Sequence, residues 1–341
     1  MKGTLKLLLM AGGPLLLATF VFAQNKEGAS AVGNPPTKDI ELNATQYPEG
    51  VKPVGVLVFT KNKQGASAAG NLPVKYEELN ATQFPEAVKR AGGVCIIPTG
   101  ILEKHGPHLP LGTDMIDIRE VALRAANSEY AIVFPEYYFG QIFEAKHQPG
   151  TIAYSHELIW NLLQETCDEL ARNGLKKIVI ANGHGGNNNF LKYFCQAQLE
   201  KKRDYAVYMF TPPTDQKLEE QLKQLRKTQS EGHAGEVETS TIMAERPELV
   251  DLRLAASQSG ADQARLRELK SAFTGIWWYA KFPNHYAGDG STATPEIGKL
   301  AIESKVAQLV EMLQSVKQDK RALQLQEQFY HQAEDPLQTK Q

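Results

Sequence analysis

The sequence predicts an α/β layered domain around a mostly parallel central sheet. Two observations carry this. From residue 90 onward, short apolar runs alternate with amphipathic helical stretches. The runs are also too uniformly apolar for a sheet with one wet face, so they read as strands buried on both sides.

Taken in order, residues 93–98 (GVCIIP) read as a buried strand and 117–127 as a helix. Residues 130–134 (YAIVF) form a second apolar run, closed by Pro135. Residues 155–173 carry helical spacing, with Leu158, Leu162, Leu163, Cys167 and Leu170 on one side and Asn173-Gly174 as the stop. Residues 177–181 (KIVIA) are a short strand, 188–203 a helix and 205–210 another strand. Pro212-Pro213 opens a charged segment, 216–230, expected as a solvated helix or excursion. From Thr294 the chain reads as one long amphipathic helix that ends in a polar tail.

Bulk properties narrow the function classes. The 341 residues are 42% hydrophobic and 22% charged, enough for a full core in one large domain. A net charge of -2 without a dense Lys/Arg run gives no nucleic-acid surface. Cys95, Cys167 and Cys195 are too few and too scattered for a disulfide scaffold and read as buried thiols, with one disulfide in an oxidising compartment as the alternative.

The N-terminus reads as an export signal. Residues 1–6 supply a basic start, 7–23 are uncharged and mostly apolar, and Val21-Phe22-Ala23 places cleavage after Ala23. The expected location is periplasmic or secreted, with no stable membrane anchor after cleavage. A repeat follows: residues 25–52 (NKEGASAVGNPPTKDIELNATQYPEGVK) return at 62–89 (NKQGASAAGNLPVKYEELNATQFPEAVK). The expected organisation is a signal peptide over 1–23, a duplicated and partly flexible arm over 24–84, a main domain over 85–330 and a polar tail over 331–341.

Chemistry-bearing residues gather after predicted strands, where such sheets collect ligands. The first cluster is EKHGPHLPLGTD. In extended chain Glu103 and His105 point the same way, and a Gly/Pro turn returns Asp114 toward them. This carboxylate–imidazole set suits zinc, manganese or iron. The second cluster is NGHGGN, with His184 at the end of the 177–181 strand. It lacks the Lys and Ser/Thr of a phosphate-binding P-loop. The third, EGHAGEVETS, adds Glu231, His233, Glu236 and Glu238. On a helix Glu236 and Glu238 diverge by about 200°, so only one can face the centre squarely. His156 and His331 read as surface residues.

In this order, EKHGPHLPLGTD, NGHGGN and HAGEVETS resemble the signatures of the creatininase family of amidohydrolases, over roughly residues 85–313. The resemblance implies a three-layer α/β/α sandwich, often assembled as a homo-hexamer. It implies Glu103, His105, Asp114 and His184 as metal ligands, with Asp114 bridging two ions, His233 as a catalytic histidine and Glu238 as the acidic position of the ETS segment. One departure stands out. Creatinine-cleaving members carry a ligating Glu two residues after the motif histidine, and this chain has Gly186. A second ion then needs another ligand, such as Glu238.

The expected activity is hydrolysis of a non-peptide or cyclic C–N amide bond in a small molecule, by water activated on one or two divalent cations. His233, Glu236 or Glu238 would shuttle the proton, and His108 would orient a ligand from outside. The KHQPGT segment, with His147, resembles a family loop that walls the pocket. Trp277 and Trp278, beside Tyr279, would form an aromatic lid over the substrate or else pack an interface. The alternatives are a peptide-end-cleaving member and a non-catalytic exported protein that binds a small molecule or metal.

Overall fold

The computed structural model describes residues 72–229 and 231–339. The expected signal peptide and residues 24–71 of the arm lie outside the described residues.

Along the chain run α1 (Phe84–Arg90), β1 (Val94–Thr99), α2 (Thr113–Ser128), β2 (Ile132–Val133), α3 (His156–Arg172), β3 (Lys177–Asn182), α4 (Asn188–Ala197) and β4 (Ala206–Phe210). Then follow α5 (Gln216–Leu225), α6 (Glu236–Glu245), α7 (Trp277–Lys281), α8 (Pro295–Gln318) and α9 (Arg321–Glu334). The strands form one parallel sheet in the order β2-β1-β3-β4. All six residues of β1 are buried, as are five of six in β3, which explains why neither strand alternates in polarity.

The strand order dictates the layers. The step from β1 to β2 runs one way across the sheet, and the steps to β3 and then β4 run the other. Right-handed crossovers therefore place α2 on one face and α3 and α4 on the opposite face. Helices α6 and α8 pack with α2, completing the three-layer sandwich. The reversal of direction falls between β1 and β3. Their carboxyl ends, with Thr99 opposite Asn182, form the switch-point crevice in which such sheets bind ligands.

Several boundaries differ from the sequence reading. The folded part begins by Leu72, inside the expected arm: Val74 O accepts from Val133 N at 2.8 Å, and Tyr76 packs on Phe84 and Phe134. The Gly/Asn/Ser/Pro composition of the repeat masks these few apolar anchors. The 130–134 run yields only a two-residue strand before Pro135, which has no N–H for the ladder. Helix α2 starts four residues earlier than expected, at Thr113, and so takes up Asp114. The expected terminal helix is two helices. Lys177 Nζ caps the end of α8 by donating to the carbonyls of Val316, Lys317 and Asp319, and the Asp319 carboxylate then accepts from Arg321 N and Ala322 N to start α9. Helix α9 continues to Glu334 and buries Tyr330, past the residue 331 where the tail was expected. Cys95, Cys167 and Cys195 are free, and the first two are fully buried.

Helices α6 and α8 touch backbone to backbone at Gly298. A Cβ there would fall inside van der Waals contact of Ser240 O and lie 2.9 Å from Thr241 N. Gly298→Ala is expected to force the two helices apart and lower the free energy of unfolding by about 1–3 kcal/mol. Urea unfolding of the two proteins measures the difference.

Candidate metal centre

The crevice fills with side chains from four segments. After β1 the chain turns so that Glu103 N donates to Leu111 O at 3.0 Å, which brings Asp114 at the start of α2 back toward Glu103. His105 Nδ1 lies 3.2 Å from Glu103 O. A carbonyl can only accept, so Nδ1 carries a proton and Nε2 is the nitrogen that faces the crevice. That Nε2 is 3.0 Å from Asp114 Oδ1. After β3, the Asn182 amide donates to His184 O at 2.8 Å and shapes the loop. His184 Nδ1 then sits 2.8 Å from Glu103 Oε1 and 3.0 Å from Asp114 Oδ2. Asp114 thus gives one oxygen to each imidazole. Glu238, in the first turn of α6, holds Oε1 3.8 Å from His105 Nε2, while its Oε2 accepts from Ala234 N. That contact relies on Ala234 adopting a φ of 58°.

Among the described residues, donor atoms converge in three sets: Glu103, Asp114 and His184; His105, Asp114 and Glu238; and Glu103, His105 and His233. The first two share Asp114, whose carboxylate would therefore serve both. Glu103 Oε1 and Asp114 Oδ2 are buried without a hydrogen bond although both lie within 3.0 Å of an imidazole nitrogen. Lone pairs crowded together in this way require positive charge between them, a proton or a cation. The oxygen–nitrogen donor set, closed within 4.8 Å, fits a divalent transition ion.

Electrostatics point the same way. Burial alone would raise the Glu103 carboxyl, but His184 and His233 outweigh it and hold it well below the usual range. Burial likewise opposes charge on His105, yet Asp114 and Glu238 push it up to about 10. Glu238 is pushed up to about 7 by burial, against the pull of His105. His233 behaves differently: burial, helped by His105 and His285, drives it down to about 3. Its Nε2 donates to Lys104 O at 2.8 Å, which leaves Nδ1 as the free lone pair, 4.0 Å from Glu238 Oε2.

His285 joins the site without having been expected there. Trp278 Nε1 donates to His285 Nδ1 at 2.9 Å, and an indole N–H can only donate. His285 Nε2 therefore carries its proton toward Glu103 Oε2, its partner. This chain turns the free oxygen of Glu103, Oε1, into the crevice. His285 sits in a Pro-Asn turn at a φ of 50°, in an irregular stretch where no periodicity marks it.

Other expected residues go elsewhere. Glu236 does not face the centre. It is buried on the opposite side of α6, where its carboxylate accepts from the amides of Lys227 and Thr228 and the Thr228 hydroxyl. His108 orients none of the clustered carboxylates or imidazoles: its Nε2 pairs with Thr239 Oγ1 at 2.8 Å and its ring packs on Tyr286. Trp278 is turned inward against His233 and His285, so it forms no lid. Trp277 and His147 do line a cavity of ≈ 810 Å³ with Glu144, Gly186, Ile276 and Tyr279. A second cavity, ≈ 270 Å³, opens onto Asp114 and Glu238 and is walled by Arg226, Glu231 and Lys305.

Comparison with known proteins follows the same lines. The family model for creatininase, described as creatinine amidohydrolase, matches residues 77–313. Creatinine amidohydrolase of Pseudomonas putida is 30% identical over 178 residues, 48% of this chain and 68% of that protein. Mycofactocin precursor peptide peptidase of Mycobacterium ulcerans is 28% identical over 213 residues, 60% of this chain and 78% of that protein. A Bacteroides fragilis structure, provisionally described as a creatinine amidohydrolase, superposes with a TM-score of 0.61 at 26% identity, over 74% of this chain and 99% of that one. Two creatininase structures, a zinc–zinc form and a manganese form, share the fold at 23% identity and a TM-score of 0.62, each over 73% of this chain and all of the other.

Removing the outer support of Glu103 tests the assembly. His285→Ala is expected to weaken zinc binding by about 10–100-fold, and Trp278→Phe by less, since the imidazole remains. Competition against a chromophoric chelator reads both.

Proposed function

The chain belongs to the creatininase family, and from that premise we propose that it is a metal-dependent hydrolase that cleaves a carbon–nitrogen amide bond. The observation that carries this reading is the division of the Asp114 carboxylate between His105 and His184, each pair at 3.0 Å. Glu103, Asp114 and His184 would hold one ion, and His105, Asp114 and Glu238 the second. Such ions, zinc, manganese or iron, lower the pKa of a coordinated water and polarise the amide oxygen.

The protein's own residues supply the rest. His233 enters the reaction neutral, with its Nδ1 lone pair available to take a proton and pass it to the leaving nitrogen. Glu238 divides its carboxylate between Ala234 N and the centre, which fixes its orientation. Asp114 and Glu103 carry the negative charge that draws the cations in.

Substrate size is where the family's activities diverge. Gly186 stands where creatinine-cleaving members carry a ligating Glu, and it borders a cavity of ≈ 810 Å³, while the space that opens onto Asp114 and Glu238 is ≈ 270 Å³. The bare position 186 supports an amide other than creatinine, and the cleavage of a peptide end is the second reading. We further propose export to the periplasm or beyond, supported by the basic start and apolar run of residues 1–23. A homo-oligomer, possible as a hexamer in this family, completes the proposal.

Asp114→Ala is expected to abolish both metal content and activity while the chain stays folded. Metal analysis, followed by assays with zinc, manganese and iron on a panel of lactams, formamides and short peptides, checks it. A stable, metal-free native protein inert across the panel would sink the hydrolase reading and leave a non-catalytic binding protein.

A further inference from the structure

We propose that Glu144 is the outer carboxylate partner of His184, accepting from its Nε2–H directly or through one water, and so fixes the imidazole that faces Glu103 and Asp114. The inference rests on the reading of this cluster as a cation site.

His184 turns Nδ1 toward Glu103 Oε1 and Asp114 Oδ2. Its other nitrogen, Nε2, is buried and has no hydrogen-bond partner. A ligating imidazole uses one nitrogen as a lone-pair donor, so the other must carry the proton, and a buried N–H needs an acceptor. The backbone supplies none here. What borders Nε2 is the space above Gly186: a Cβ built on this glycine would lie 2.6 Å from Glu144 Oε1 and closer still to His184 Nε2. The two polar atoms therefore flank one small gap from opposite sides, and any side chain at position 186 would fill it.

Glu144 is held for this task. It lies in a short 3-10 turn, Phe143–Ala145, whose approach is tied to the His184 loop by Gln141. Gln141 N donates to Asn187 Oδ1 at 2.8 Å, and the Gln141 side-chain amide donates to Gly186 O at 3.3 Å and to Glu144 Oε2 at 3.0 Å. With Oε2 clamped, Oε1 is the oxygen left on the His184 side. Glu144 and Gly186 both line the larger cavity, so the gap lies at its wall. The missing carboxylate at position 186 is thus answered by one from another segment, placed on the far side of the imidazole and not on the second ion.

Zinc titration of the metal-free full-length chain against a chromophoric chelator, near neutral pH, tests this. Glu144→Ala is expected to bind zinc about 10–100-fold more weakly, with the zinc stoichiometry and the thermal midpoint of the metal-free chain unchanged. Glu144→Gln keeps an acceptor oxygen and is expected to recover part of the loss. Phe143→Ala, in the same turn, is expected to bind as the native chain does. The inference is overturned if Glu144→Ala binds like native, if Phe143→Ala loses as much, or if Glu144→Ala loses one whole zinc, which would make Glu144 a ligand. A native chain that binds none of zinc, manganese and iron overturns this inference together with the hydrolase reading. Native binding with an unaffected Glu144→Ala overturns this inference alone.

Discussion

The parallel pairing of β1 with β3 is the constraint on which the site depends. Thr99 lies opposite Asn182 at the ends of the two strands, and the chain leaves them in opposite directions across the sheet. Neither strand's following loop is covered by its own crossover helix, so both stay open to each other. Glu103 and His105 leave one strand end, His184 leaves the other, and the start of α2 delivers Asp114 between them. Because the register is a ladder of backbone hydrogen bonds between fully buried strands, a slip would have to break the core before it moved the site.

Charge is the second organising force. Three carboxylates gathered in one crevice, two of them buried, are costly unless opposite charge meets them. The protein answers with imidazoles whose free nitrogens are chosen from outside. The Glu103 carbonyl selects the tautomer of His105, the Lys104 carbonyl that of His233, and the Trp278 indole that of His285. Backbone carbonyls only accept and an indole N–H only donates, so each contact fixes which imidazole nitrogen faces inward. The outcome is three imidazoles placed in three ways: His105 turns Nε2 to the Asp114 and Glu238 carboxylates, His233 keeps Nδ1 free, and His285 steadies Glu103.

Much of this was legible in the sequence. Period-two alternation put Glu103 and His105 on one side, and the NGHGGN turn put His184 at a strand end. Those inferences needed only local geometry. The position of α6 was not local: Glu238 faces the centre and Glu236 does not because the helix begins at Glu236, and that start is set by the turn at Ala234 and by the 227–228 amides that capture Glu236. His285 was hidden for a related reason. It belongs to a turn with neither helical nor strand periodicity and meets Glu103 across 182 positions. Leu72, Val74 and Tyr76 were obscured by repeat composition, although together they anchor the segment to the edge of the core.

That separation of 182 positions between Glu103 and His285 has a consequence for how the protein comes into being. A growing chain that has reached only Asp114, or even His184, holds part of a centre whose remaining walls are still unmade. The closed cage exists only after residue 285 has been made and the distant segments have met. Ion capture is therefore a late event, and it draws on whatever supply surrounds the finished fold. The export proposed above would make that supply the exterior's, and the identity of the bound ion would then be decided by geography as much as by affinity.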